Sequence, residues 1–219
     1  MATRFYLSTG SVPDITPAFE AWNETDGALR RMMSPTAYQD ALADGSALAS
    51  TAGNKQLHRQ YISDPMDSGI AFTTATTFSC QIMGLESAIN DNIINRVRAV
   101  KIVDVNGTVV RATLVALGNA ASVVEWNTAM RNLTFLSANT SAVNYTTVAG
   151  DRLVLEVGHL DSGGTTVSGT LRFGITGQTA DLGANETDTT TTLRPWFETS
   201  VNITSQPAAS TGTLMLLMG

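Results

Sequence analysis

Apolar and polar residues alternate along most of this chain, the period of strands with one buried face. Over residues 95–117 two β-rich runs flank Asn106-Gly107. That dipeptide tolerates the positive φ of a tight hairpin turn, so the pattern predicts a hairpin there. In 152–158, Leu153, Leu155 and Val157 share one face, and Arg152, Val154 and Glu156 the other. Its expected neighbour is 166–174, where Leu171 and Phe173 oppose Thr170 and Arg172. Asp161-Ser162-Gly163-Gly164 would join the two as a second hairpin turn. Residues 76–86 alternate Phe78, Cys80 and Ile82 against Ser79, Gln81, Met83 and Leu85, and 195–204 place Phe197, Thr199, Val201 and Ile203 on one side. Shorter strands are expected at 3–7, 57–62, 122–127 and 142–147. Short helices are expected at 36–43 and 85–94. Residues 120–131 fit helix and strand about equally, and β-branched residues beside Trp126 favour strand.

About eight to ten strands at short spacing, with no βα alternation, predict an all-β fold: an antiparallel β-sandwich of jelly-roll type. Irregular stretches interrupt it. An arm at 8–35 holds Pro13, Pro17 and Pro35, with Trp22 and the pair Arg30-Arg31 between them. A long polar loop covers 174–194, and loops of that length in compact domains tend to serve function or interfaces. The expected organisation is one sandwich domain over 1–204, followed at 205–219 by a linker and an apolar tail, Leu214-Met215-Leu216-Leu217-Met218. Five consecutive apolar residues on a linker need cover. Two readings stand: a last strand on its own sheet, or docking onto a neighbouring subunit.

Composition narrows the partners. The 219 residues carry a net charge of −6, with 2 Lys against 11 Arg, so there is no basic surplus to collect phosphates, and nucleic-acid binding is not expected. No apolar run approaches the roughly 18 residues of a membrane span. The opening Met1–Ser8 lacks the apolar core of a signal peptide, which leads to an expectation of folding in a reducing cytoplasm. The 48 Ser and Thr and 13 Asn produce seven Asn-x-Ser/Thr triplets by composition alone. A single cysteine, Cys80, excludes an intrachain disulfide framework, and its place between Phe78 and Ile82 reads as a small buried hydrophobe.

Candidate chemistry is thin. Asp161-Ser162-Gly163-Gly164 has the look of a nucleophile loop with His58 as a nominal base. The residue before the Asp is Leu160 rather than Gly, however, and a Gly-rich turn is the simpler reading. His159 follows a strand and reads as structural. Asp181, Glu186 and Asp188 in the loop 174–194 supply hard oxygen ligands of the kind Ca²⁺ takes. Asp64 and Asp67 around Pro65 read as turn residues. Trp22, Trp126, Trp196 and Tyr145 are large enough to stack on sugar rings, Trp22 being the best candidate for exposure and Tyr145 its companion. No catalytic residues or metal ligands are assigned, and no enzyme is expected.

Several segments together resemble β-sandwich proteins encoded among tailed-bacteriophage structural genes. These are Asp-Gly-Ala-Leu-Arg-Arg (26–31), Asp-Gly-Ser-Ala-Leu-Ala-Ser (44–50), Leu-His-Arg-Gln-Tyr-Ile-Ser-Asp-Pro (57–65) and Asn-Gly-Thr-Val-Val-Arg-Ala-Thr-Leu (106–114). Ala-Gly-Asp-Arg-Leu-Val-Leu-Glu-Val-Gly (149–158), Gly-Thr-Leu-Arg-Phe-Gly (169–174) and Leu-Arg-Pro-Trp-Phe-Glu (193–198) complete the pattern, which covers most of 3–203. The resemblance implies head decoration or a tail or fibre component, and carries over no catalytic residue. The leading expectation is therefore a virion protein that decorates or cements a capsid from its outer surface, made in a bacterial host's cytoplasm. Its expected partners are the major capsid protein and copies of itself. Arg enrichment over Lys suits such interfaces. The expected subunit contacts are Trp22, Arg30, Arg31, Leu214, Met215, Leu216 and Leu217. The alternative is a tail- or fibre-associated sandwich that binds host-surface glycan through Trp22 and Tyr145.

Overall fold

The computed structural model describes residues 2–36, 40–88, 93, 95–120, 124–162, 166–174, 180–184, 186 and 193–205. The strands in chain order are β1 (Thr3–Leu7), β2 (Leu29–Ser34), β3 (Ala43–Asp44), β4 (Leu48–Ala49), β5 (Lys55–Ile62), β6 (Ala71–Phe72) and β7 (Thr77–Glu86). They continue with β8 (Asn95–Val103), β9 (Val110–Asn119), β10 (Arg131–Thr140), β11 (Tyr145–Thr146), β12 (Arg152–Leu160), β13 (Ser168–Phe173) and β14 (Trp196–Thr199). There is no helix among the described residues. The fold is an all-β sandwich of jelly-roll type.

Its hydrogen-bonded path runs β3-β13-β7-β14-β1-β2-β5-β12-β8-β9, with β10 added on β7, β4 on β13, and a separate β6–β11 ribbon. One layer is built around β7 and the other around β12, and β1 and β2 carry the path between them. Every named pairing is antiparallel except β2 with β5, which places the end of the arm parallel to a central strand. Between the layers lies the main core. It includes Phe5, Phe78 and Phe197, whose rings stack at 6.0 Å, with Ile82, Leu155 and Leu171 around them. Each such side chain contributes about 1.5–3 kcal/mol by leaving water.

The expected faces are the observed ones for β7 and β12, since Phe78, Cys80, Ile82, Leu153, Leu155 and Val157 all enter the main core. Five expectations are corrected. The turn between β8 and β9 is longer than a two-residue hairpin, because pairing begins at Val103 with Val110. Asp104 closes this loop by accepting the Thr108 and Val109 amides at 2.7 and 2.8 Å, and Gly107 sits at φ +72°. Asp161-Ser162 does not open a hairpin: β12 pairs with β5 and β8, whereas β13 pairs with β7 in the other layer. Residues 124–127 are irregular rather than a strand, and 121–123 lie outside the described residues. At 36–43 and 85–94 the described positions include strand at Ala43 and at Leu85-Glu86, not helix; the remainder includes undescribed positions. The expected strand at 195–204 ends at Thr199.

β10 has no counterpart among the expected strands, and β2 falls inside the stretch read as an irregular arm. The rest of that arm does run as an extended covering segment. It lies on the outer face of β5, β12 and β8, so that face is buried as deeply as the inner one: β12 is buried at every position except Leu160. Phe19 and Trp22 pack there against Leu57 and Val97. On the other layer, Leu182 and Leu193 cover Met83, Met130 and Trp196.

Gly158 is where the arm comes closest. It follows the bulge in the β5–β12 pairing. A methyl added there would fall inside contact distance of the Gln56 carbonyl and 2.6 Å from Trp22 Cζ3. Gly158→Ala is expected to destabilise the fold by roughly 2–3 kcal/mol through overpacking. Urea denaturation of the two proteins checks this, with an unchanged midpoint counting against so close an approach.

Candidate functional site

The residues with chemical potential converge on the outer face of β12, under the arm. Glu156, on β12, is completely buried, and Lys101, beside it on β8, is 1% exposed. Their charged ends meet at 3.0 Å. Four further residues complete the arrangement. The Trp22 indole N–H donates to Glu156 Oε2 at 2.6 Å, the Glu20 amide to the same oxygen at 3.0 Å, and Gln60 Nε2 to Oε1 at 2.8 Å. Lys101 Nζ also donates to the Ala18 carbonyl at 2.7 Å and reaches Glu20 Oε1 at 3.1 Å. A buried ion pair survives only with such additional bonds, because taking both charges out of water costs several kcal/mol per ion.

The arm residues expected at a subunit boundary are used inside the chain. Trp22 is 8% exposed, which corrects the expectation of an exposed sugar-stacking platform. Arg30 donates to the Pro17 carbonyl at 2.9 Å and to Gln60 Oε1 at 3.0 Å, and its guanidinium lies 4.1 Å over Phe19. Arg31 donates to the Thr9 carbonyl at 2.6 Å. The arginine pair thus straightens and fixes its own arm. Tyr145 is half-buried against the main core, and its hydroxyl donates to Asp151 at 2.6 Å. Burial first, and that carboxylate second, push the phenol up to about 12. Leu214, Met215, Leu216 and Leu217 lie outside the described residues.

A second buried cluster sits one step along the same sheet. His58 Nε2 and His159 Nδ1 are 2.7 Å apart, a bond in which one ring donates and the other accepts. Both rings are buried, and Trp126 packs against His159 with ring centroids 5.8 Å apart. Burial, then His159 and Arg59, hold His58 well below the ordinary imidazole range. Burial brings His159 down to about 4, with Glu24 acting in the opposite sense. Close to Trp126, Glu86 is pushed up to about 7, by burial first and by Glu125 second. His58 is therefore committed to His159 beneath the surface, while Ser162 is exposed, so the nominal nucleophile loop is not assembled around it.

The described acids of the loop 174–194 are matched by arginines. Asp181 lies 2.8 Å from Arg4 and 2.7 Å from Arg194. Glu186 pairs with Arg96 at 3.7 Å and accepts the Thr134 amide at 2.7 Å. The positive charge that Ca²⁺ would supply is already present there. Asp188 lies outside the described residues, and no group of three or more metal-ligating side chains occurs among the described ones. Cys80 is fully buried, as the sequence suggests, and burial pushes its thiol up. Trp196 donates its indole N–H to the Leu182 carbonyl at 2.7 Å and carries Arg4 over its ring, so it anchors the second covering segment.

The outer surface is distinctive at one end. Val105, Val109, Val110 and Val148 are 49%, 48%, 47% and 56% exposed. They lie on the β8–β9 loop, at the start of β9, and at the turn 148–151. Arg111 to Asp151, at 3.8 Å, connects these segments.

No family model matches the chain, and no curated protein does. Among solved structures it is similar to a mutant VP2 protein of infectious bursal disease virus in derived T=1 particles. The identity is 12% and the TM-score 0.31, over 85% of this chain and 40% of that one. For the Gx strain of the same virus the figures are 16% and 0.25, over 84% and 40%. The chain spans about two fifths of the length of these structures.

Two predictions follow from the buried groups. Glu156→Gln or Lys101→Met alone leaves an uncompensated partner and should cost about 3–5 kcal/mol, whereas the double variant should lose less than the sum. Denaturant titrations with limited proteolysis of the arm measure both; additive losses would exclude coupling. For pH, the unfolded histidines take protons near 6.5, while folded His159 resists until about 4. Their contribution is thus present above pH 6.5 and lost as pH falls. Glu86 acts oppositely: its contribution is present below about 4.5 and lost as pH rises through 7. With two imidazoles against one carboxyl, the melting temperature should fall from pH 6.5 to 5. In a His58→Leu/His159→Leu variant that fall should vanish or reverse, and an equal fall in the variant would refute the assignment.

Proposed function

We propose that this chain is a virion structural protein that decorates or cements a capsid through protein–protein contacts. The observation that carries this reading is a pair of long strands with one strand neighbour each. β9 and β10 are ten residues long, and among the described residues each has a single strand partner, β8 and β7 respectively. The Leu114, Ala116 and Gly118 carbonyls of β9 already accept the Ala142 amide and Arg98, and the Thr134 amide of β10 is bound by Glu186, so strand addition would use the remaining groups of these edges.

Composition and the sequence resemblance support the same reading. The resemblance is to structural proteins of tailed phages. A net charge of −6 is repelled by packaged DNA and favours the outer surface of a particle. The proposed partners are the major capsid protein and further copies of this chain, and the proposed place of synthesis is a bacterial host's cytoplasm. The proposed mechanism is added buried area: each copy bridges neighbouring shell subunits and raises the barrier to rupture. The reading assigns no catalytic residue.

Quantitative mass spectrometry of virions carrying the chain tests it. Capsomer-scale occupancy is the expected result, and a few copies per particle would indicate a tail or fibre component instead. Ala116→Lys places a charge at an exposed position of β9. It should lower occupancy several-fold while leaving the melting temperature of the free protein unchanged. Full occupancy with the lysine in place would remove β9 from the contact.

A further inference from the structure

The described chain ends beside the exposed valines. Ser205 forms an antiparallel bridge with Met66, and the Asp67 amide donates to the Thr204 carbonyl at 3.1 Å. Met66 in turn accepts the Gly150 amide at 2.9 Å. A methyl on Gly150 would touch Val105 at 3.1 Å. Three neighbour steps, each about 5 Å, therefore lead from Ser205 to Val105. Val148 stands two residues before Gly150, in the turn closed by the Val148 amide on Asp151 Oδ2 at 2.9 Å. Val109 and Val110 close the same end across the β8–β9 loop.

Beyond Ser205 the sequence runs through residues 206–213 to Leu214-Met215-Leu216-Leu217-Met218. Eight residues reach up to about 26 Å when extended, well beyond the roughly 15 Å needed. A tether of that length also holds the segment at an effective concentration on the order of millimolar, far above that of a second molecule in dilute solution. The two apolar features match in kind. Four half-exposed valines offer stiff β-branched side chains at this end, and Leu and Met are unbranched at Cβ and adapt their shape to such neighbours.

We propose that Leu214–Met218 docks on the chain's own valine surface formed by Val105, Val109, Val110 and Val148. The segment then caps the end of the sandwich from which it emerges. This interaction is within one molecule and is independent of the virion role: it covers an apolar end of each copy.

Cysteine cross-linking of the full chain tests the proposal. Val148→Cys and Leu216→Cys are combined in one protein, with each single variant as control; Cys80 is fully buried and stays out of the reaction. Position 148 is exposed, so the substitution leaves the fold intact. Mild oxidation at low micromolar protein should consume both new thiols and give a monomer that migrates faster on a non-reducing gel. A disulfide-linked dimer from the double variant would overturn the proposal in favour of a second copy as occupant. Retention of both free thiols would overturn it outright. A companion measurement uses dye binding to exposed apolar surface. Removal of 206–219 should raise the signal several-fold, and Val105→Ser/Val148→Ser in the shortened chain should lower it again. An unchanged signal on removal would also overturn the proposal.

Discussion

Burying Lys101 against Glu156 removes two charges from water, and the outer face of β5, β12 and β8 is arranged around that constraint. The carboxylate accepts bonds from the Lys101 ammonium, the Gln60 amide, the Glu20 backbone and the Trp22 indole. Two of those donors belong to the arm, so the pair is satisfied only while the arm is in place. The dependence runs the other way as well. The arm has few strand contacts before β2, and its Ala18 carbonyl is held by Lys101 and Gln60. Pro17 extends the same hold through Arg30. Fold and arm are thus coupled, because losing the arm removes three bonds to the pair and opens the apolar outer face to water.

The second layer solves a related problem with arginines. β7 carries Met83 and Leu85 on its outer face, and the segment around Leu182 and Leu193 covers them. That segment is polar, so its attachment uses charge: Asp181 between Arg4 and Arg194, and Trp196 closing on the Leu182 carbonyl. Both irregular stretches of the chain are therefore lids on outer sheet faces, which leaves contact capacity at the strand edges and at the sandwich ends. The same economy explains the excess of Arg over Lys in physical terms. A planar guanidinium bonds carbonyls and carboxylates in fixed directions while stacking on Phe19 or Trp196, which an ammonium does not do.

Period-two alternation made the inner core legible. Phe78, Cys80, Ile82, Leu153, Leu155 and Val157 face inward as their spacing indicates. The clamp was not legible, for a specific reason. Arg152, Val154 and Glu156 alternate with the core residues and read as a solvent face, because nothing local announces that a segment more than a hundred residues away will cover them. Trp22 misled for the same reason: a tryptophan between prolines reads as exposed until the sheet beneath it is known. Partner choice was equally hidden. The run from β12 to β13 looks like a hairpin locally, yet the two strands belong to different layers. β10 escaped notice because Arg131–Thr140 alternates weakly and bulges twice against β7.

The His58–His159 pair shows what such coverage does to chemistry. An imidazole at an open strand end titrates near neutrality and can serve as a base. Here the facing layer covers them: Trp126 packs on His159, Gly169 of β13 lies against the same ring, and both imidazoles are buried. Each ring's best partner is then the other, and among the described residues no carboxylate hydrogen-bonds to either ring to stabilise a second proton. The pair stays neutral and structural, linking β5 to β12 beside the bulge where backbone bonding is interrupted. Its position, a few residues from both Gly158 and the Glu156 carboxylate, means that the least regular part of the sheet is held by side chains rather than by the ladder. That is where acidification would act first, because charging either histidine there places an unpaired cation in the interior.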